Sequence, residues 1–184
     1  MKGRFDKVLV VGTGIIGNMI GELAKKSGAA YVAMSKRNDR KLAPAKKAGF
    51  FDAYFDSNEP DARQKMAEAT GGGFDVAFEV VGAESTLDTC IHAVKPGGRV
   101  VMIGNSMTET IPVNINRTVL QEVQLLGSVS CTREEFSGTI DLIAGGIIDP
   151  ERYVTDVVSL DELQKTFERL VSATDPILKA VVKP

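Results

Sequence analysis

Tryptophan is absent from this sequence, histidine occurs once, at His92, and cysteine twice, at Cys90 and Cys131. Two cysteines so far apart do not make a disulfide framework, so a reducing, cytoplasmic setting is expected. No apolar run approaches the ~18 residues of a membrane span. The opening stretch, Met1-Lys2-Gly3-Arg4-Phe5-Asp6-Lys7, lacks the apolar core of a secretory signal. An excess of charge is missing too. The 22 basic and 24 acidic residues leave a net −2. No Lys/Arg run forms a stripe, which argues against a nucleic-acid partner.

Catalytic groups are equally scarce. Cys90 and His92 stand two apart on a predicted helix and so face different ways, and Cys131 is distant; no metal site is assigned. Glu134-Glu135 and Asp161-Glu162 are adjacent carboxylates at helix starts, where capping and the helix dipole account for them. Ser106 and Ser128 have no histidine beside them. No residue is therefore assigned a catalytic role.

What is present is a strict alternation of elements. Lys7-Val8-Leu9-Val10-Val11 is an apolar, β-branched run stopped by glycine, as in a buried parallel strand. A helix follows over 15–27, with Ile16, Met19, Ile20, Leu23 and Ala24 forming its apolar face. A second strand covers 30–34. A second helix covers 39–48, with Pro44 expected to bend it. Further strands are expected at 53–55, 74–81, 99–104 and 123–130. Helices are expected at 61–69, 85–94 and 132–144, the second of them ended by Lys95-Pro96-Gly97-Gly98. Thr132 and Glu135 form a capping box. The fold class is α/β, a doubly wound, parallel, six-stranded sheet of the Rossmann type. With 184 residues the chain exceeds that fold. Residues 1–146 are read as the dinucleotide-binding domain and 147–184 as a helix-strand annex.

The loop Gly12-Thr13-Gly14-Ile15-Ile16-Gly17 lies between the first strand and the first helix. A lone G-x-G-x-x-G is weak, but the strand before it and the helix after it give it meaning. Gly12 permits the tight turn, Gly14 lets backbone approach a pyrophosphate, and Gly17 lets the helix sit close to the strand. The helix N-terminus then offers free N–H groups to phosphate. A tight turn with no ligand is the plain alternative.

A fold of this kind that prefers NAD carries an acid about 20 residues further on, against the ribose 2′-hydroxyl. Here the stretch reads Met34-Ser35-Lys36-Arg37-Asn38-Asp39-Arg40-Lys41. Ser35, Lys36 and Arg37 would attract a 2′-phosphate, arginine through its paired donors. NADP is therefore expected in preference to NAD. A solvated basic loop, or Asp39 acting as a displaced acid, is the other reading.

An ordered series of segments now resembles one family. Val8 to Gly17 comes first, then Gly73-Phe74-Asp75-Val76 with Glu79-Val80-Val81-Gly82. Lys95-Pro96-Gly97-Gly98-Arg99 through Gly104 follows, then Leu126-Gly127-Ser128, and finally 153–167 with Ile177-Leu178-Lys179. Their order is similar to that in the medium-chain, zinc-type alcohol and polyol dehydrogenases, over the C-terminal half of such an enzyme. The resemblance implies an oxidoreductase cofactor domain whose GroES-like catalytic domain, with its zinc ligands, lies outside this chain. It implies that the loop from Gly12 to Gly17, Ile16 especially, holds the pyrophosphate. Lys36, Arg37 and Lys41 would meet the adenosine ribose or its phosphate. Val81 and Gly82 would border the nicotinamide ribose, and backbone at Ile103, Gly104, Ser128 and Ser130 would orient the carboxamide. Lys36 departs from the acid of NAD-using members, so NAD stays open beside NADP. The tail helix would leave Leu163, Phe167 and Leu170 exposed. A homodimer through late edge strands, near Thr110-Ile111-Pro112-Val113 or Leu125, is expected. The alternative function is a stand-alone NADP-binding sensor or regulatory module.

Overall fold

The structure, a computed structural model, describes residues 5–39, 42–172 and 175–184. By packing they fall into two units. The first runs to Asn38 and resumes over Gly49–Val129; the second holds Asp39–Ala48 and Ser130–Pro184.

In the first unit the chain runs β1 (Lys7–Val11), α1 (Ile15–Lys26) and β2 (Tyr31–Lys36). After α2 (Leu42–Ala48), grouped with the second unit, come β3 (Ala53–Asp56), α3 (Ala62–Thr70), β4 (Phe74–Glu79) and α4 (Glu84–Ala93). β5 (Val94–Met102), α5 (Ile115–Leu120) and β6 (Gln124–Gly127) complete it. Six strands form one sheet in the order β3-β2-β1-β4-β5-β6, every pair parallel. The strands read as apolar runs because both faces are covered. Leu9, Ala33, Phe74, Ala77, Cys90, Ile91 and Val100 are fully buried in one continuous core. The order reverses between β1 and β4, so the loops after β1, β2 and β4 open at one edge, the usual place for a ligand in an open parallel sheet.

Two local expectations need correction, and one helix has no counterpart in the sequence reading. The buried face of α1 consists of Gly17, Asn18, Gly21 and Glu22, while Ile16 and Leu23 are exposed. The helix sits so close that a Cβ on Gly21 would fall 2.1 Å from the Phe51 ring. Small residues, not the apolar stripe, therefore face inward. Pro44 lies within α2, the third of its described residues. The strand expected from Arg99 begins earlier, at Val94, and takes in Lys95-Pro96-Gly97-Gly98 as an irregular stretch with a register shift against β4. Finally, α5 was not foreseen. It is a short helix capped by Asn114, whose side chain accepts from the Arg117 N–H.

The second unit, besides α2, contains α6 (Arg133–Ala144), β7 (Asp156–Ser159), α7 (Leu163–Ser172) and β8 (Ala180–Lys183). β7 and β8 pair in parallel. Thr132 caps α6 as expected, its hydroxyl accepting from the Glu135 N–H while Glu135 accepts from the Thr132 N–H. Phe167 and Leu170 of α7 are exposed, as are Phe136 and Ile140 of α6. Among the described residues no helix is long and apolar enough to cross a membrane.

Candidate functional site

The chain leaves β1 at Val11 and turns at Gly12, whose N–H donates to the Ser35 carbonyl at 3.2 Å. Gly12 has φ +130°, and a Cβ there would lie 2.6 Å from Val80 Cγ2. A Cβ on Gly17 would lie 2.2 Å from the Gly12 carbonyl oxygen. A Cβ on Gly14 would meet nothing within 4 Å. Gly12 and Gly17 thus close the turn, and Gly14 leaves open space in front of it. Asn18, buried behind the turn, donates from Nδ2 to the carbonyls of Thr13 (3.2 Å) and Gly14 (2.9 Å). The N-cap of α1 is Gly14, which has no side chain to cap it, and the first turn carries no acid. Its first N–H groups and the positive end of its dipole are therefore available to an anion.

The end of β2 supplies the second wall. Ser35 is buried, and its hydroxyl has no hydrogen-bond partner among the described residues. Lys36 Nζ meets Asp56 Oδ2 at 2.8 Å. The loop after β3 clasps the β2 end: Ser57 N–H and Oγ donate to the Lys36 carbonyl at 2.8 and 3.0 Å. Asn58 Nδ2 donates to the Arg37 carbonyl at 2.6 Å. Hydrogen bonds from Lys36, then from the Asn58 N–H, hold the Asp56 carboxyl below the usual carboxylate range. Arg37 is exposed.

The loops after β4 and β5 form the third wall. Glu79 is buried, its Oε1 accepting from the N–H groups of Val81 (2.9 Å) and Gly82 (3.0 Å). Gly82 has φ +83°, and a Cβ there would lie 2.2 Å from the Asn105 carbonyl oxygen. A Cβ on Gly104 would lie 2.2 Å from the Gly82 nitrogen. The two backbones cross in contact. The N–H groups of Ile103 and Gly104 both donate to the Glu79 carbonyl.

A cleft of about 120 Å³ joins these walls, lined by Val11, Gly12, Thr13, Ser35, Lys36, Arg37, Asn38, Ser57, Val81 and Thr86. Of the residues singled out from sequence, it gathers Gly12, Thr13, Ser35, Lys36, Arg37 and Val81. Ile15, Ile16 and Gly17 open α1 beside it, and Gly82 and Gly104 meet at the crossing. Ser128, whose N–H donates to the Met102 carbonyl, follows β6. Ser130 belongs to the second unit, with φ +56°. Lys41 lies outside the described residues. Asp56, Ser57, Asn58, Thr86 and Glu79 were not singled out from the sequence. The parallel register that sets Asp56 against Lys36 is the signal that points to the first of them.

Other candidates lead away from chemistry. Burial, and then the Glu79 charge, pushes the Cys90 thiol up. His92 Nδ1 lies 2.9 Å from the Asp88 carbonyl of its own helix. Among the described residues no three His, Cys, Asp or Glu side chains are grouped to hold a metal. A larger cavity, about 760 Å³, lies in the second unit. It is an open space without a glycine turn, and its Arg169 is already held by Asp156 and Asp175. The small cleft, where three loops converge, is the better candidate.

Comparison with known proteins agrees with this geometry. Residues 16–145 match the zinc-binding dehydrogenase family. The chain is 30% identical over 181 residues to the (R,R)-butanediol dehydrogenase of Neisseria gonorrhoeae, covering 97% of this chain and 50% of that protein. Its fold superposes on the 2R,3R-butanediol dehydrogenase of Bacillus subtilis with a TM-score of 0.85 at 28% identity, over 98% of this chain and 51% of that one. A zinc-binding dehydrogenase of Sinorhizobium meliloti, solved bound to NADP, gives a TM-score of 0.84 at 28% identity, over 98% and 53%. The chain thus spans about half the length of the relatives it matches.

Proposed function

The chain belongs to the zinc-binding dehydrogenase family, and on that premise we propose that it provides the nicotinamide-dinucleotide site of an alcohol- or polyol-oxidising enzyme. The observation that carries this reading is the loop from Gly12 to Gly17. It is closed by Gly12 and Gly17, left open at Gly14, and set at the point where the strand order reverses. The unpartnered, buried Ser35 hydroxyl in the same cleft fits a ribose or phosphate oxygen.

In this reading the backbone from Gly12 to Gly17 and the N-terminus of α1 hold the pyrophosphate. Ser35, Lys36 and Arg37 receive the adenosine ribose; Lys41, named with them from the sequence, lies outside the described residues. Val81 and Gly82 border the second ribose, and Ile103, Gly104 and Ser128 orient the carboxamide. Glu79 fixes the 81–82 turn against which that ribose rests. When bound, the nicotinamide supplies the hydride acceptor or donor. The zinc ligands and the substrate pocket belong to the half of such an enzyme that this chain does not span.

We propose NADP as the preferred cofactor. Support comes from the two cations at the end of β2, Lys36 standing where an acid is expected of an NAD-preferring fold. The test is titration of the purified chain with NADP and NAD by calorimetry. NADP is expected to bind about tenfold tighter, a difference of ~1.4 kcal/mol. Tighter binding of NAD would refute the preference, and binding of neither would refute the site. A second copy of the chain is the proposed partner, joined through β6 at the sheet edge. Leu120, Leu126 and Val129 are exposed there or close by in the chain.

A further inference from the structure

We propose that Asp56 is a specificity-determining residue of the cleft: by holding the Lys36 ammonium, it limits how strongly the chain favours a cofactor carrying a 2′-phosphate. The inference rests on the dinucleotide reading above and adds to it a residue on a different strand.

The two cations at the end of β2 are not equivalent. Lys36 stands opposite Asp56 in the parallel register of β2 and β3. Its Nζ lies 2.8 Å from Asp56 Oδ2, with the side chains only 14% and 25% exposed. The other carboxylate oxygen, Oδ1, is occupied by the Asn58 N–H and Nδ2, each at 2.9 Å. Asp56 is therefore fixed at both oxygens and cannot follow Lys36 if the ammonium swings away. No carboxylate pairs with Arg37 among the described residues, although Arg37 lines the same cleft.

A 2′-phosphate arriving here meets an available guanidinium, an ammonium already neutralised, and a fixed carboxylate close behind it. Either Lys36 stays with Asp56 and contributes little, or it turns to the phosphate and leaves Asp56 unpaired beside an anion. Both routes weaken the phosphate interaction. A cofactor with a plain 2′-hydroxyl carries no charge at that place, so Asp56 leaves it nearly unaffected. Asp56 is thus a brake on NADP preference, acting through Lys36.

The test is calorimetric titration of the whole chain with NADP, NAD, 2′,5′-ADP and 5′-AMP, for wild type, Asp56→Asn, Lys36→Met, Arg37→Met and the Asp56→Asn/Lys36→Met pair. Asn at 56 keeps the oxygen that accepts from Asn58. The expected result for Asp56→Asn is about five- to tenfold tighter NADP and 2′,5′-ADP, with NAD and 5′-AMP changed less than about twofold. Lys36→Met should cost more NADP affinity in the Asp56→Asn background than in wild type, the coupling that a double-mutant cycle reads. Equal shifts for NADP and NAD, or weaker NADP binding, would overturn the proposal. If Asp56→Asn does not fold, the two cation variants still decide. In wild type, Arg37→Met should cost more NADP affinity than Lys36→Met; equal or reversed costs would overturn it. A wild type that binds NAD but not NADP overturns this inference and leaves the dinucleotide site standing. One that binds neither removes both.

Discussion

Gly14 and Gly17 are three residues apart in one loop, yet alanine should act on them in opposite ways. At Gly17 a Cβ would sit 2.2 Å from the Gly12 carbonyl oxygen and 3.2 Å from Val10 Cγ1. An ordinary contact begins near 3.4 Å. The turn and the helix would have to part by about an ångström, and such overpacking costs roughly 1–3 kcal/mol. For a chain of this size that lowers Tm by about 2–4 °C per kcal/mol. At Gly14 the φ of −73° suits any residue, and a Cβ meets nothing within 4 Å. Alanine is a poorer N-cap than glycine, but it also restricts the unfolded chain. These effects oppose each other and are each about 1 kcal/mol or less. Gly14→Ala should therefore leave Tm within about 2 °C of wild type while placing a methyl group where the pyrophosphate must approach. The assay is thermal melting with and without NADP, together with NADPH fluorescence titration. Gly17→Ala should melt early and bind weakly; Gly14→Ala should melt normally and bind weakly. If Gly14→Ala binds as wild type does, or melts as early as Gly17→Ala, the division of labour in the loop is wrong.

Glu79→Gln should destabilise the chain by roughly 1–3 kcal/mol, because the Gly82 N–H donates to both carboxylate oxygens, at 3.0 Å each, and an amide would set its own NH2 donor against that N–H. Urea denaturation measures this, and an unchanged midpoint would contradict it. Acid should destabilise the chain through Asp52 and Asp75. Burial pushes both carboxyls up, but hydrogen bonds from Lys25 and the Val32 N–H at Asp52, and from the Lys7 N–H and Lys95 at Asp75, leave both below the usual range. A depressed folded value means the contribution is complete above the ordinary carboxylate range and is lost as pH falls through the depressed values. Melting temperature should hold steady from neutrality to about pH 5 and then drop, and Asp75→Asn should flatten that drop. A slope unaltered in Asp75→Asn would remove this account. The proposed dimer should show in sedimentation velocity at micromolar protein, and Leu126→Lys should reduce it to monomer; a monomeric wild type would end that proposal.

Most strands were legible because a parallel sheet buried on both faces demands long apolar runs. Lys7 to Val11 and the stretch from Phe74 are such runs, and glycine marks their ends. The inner face of α1 was not legible. Periodicity finds where large apolar residues recur, whereas this helix approaches the sheet through Gly17 and Gly21 and buries Asn18 and Glu22. The short α5 has too few residues to show a period. The glycine loop and the cations after β2 could be found by position from the first strand. Asp56, Ser57 and Asn58 could not, because their place beside Lys36 and Arg37 is created by the pairing of β3 with β2 and leaves no motif in either segment.

The contact between Gly82 and Gly104 bears on any attempt to alter this cleft by directed evolution. A Cβ on Gly104 would meet the backbone of Gly82 and Val81, and a Cβ on Gly82 the backbone of Asn105. A library randomised at either codon alone would be depleted of everything but glycine, and randomising both would not rescue it, since each clash is with backbone. Useful diversity must therefore be sought at neighbours such as Val81, which is half exposed and already faces the cleft.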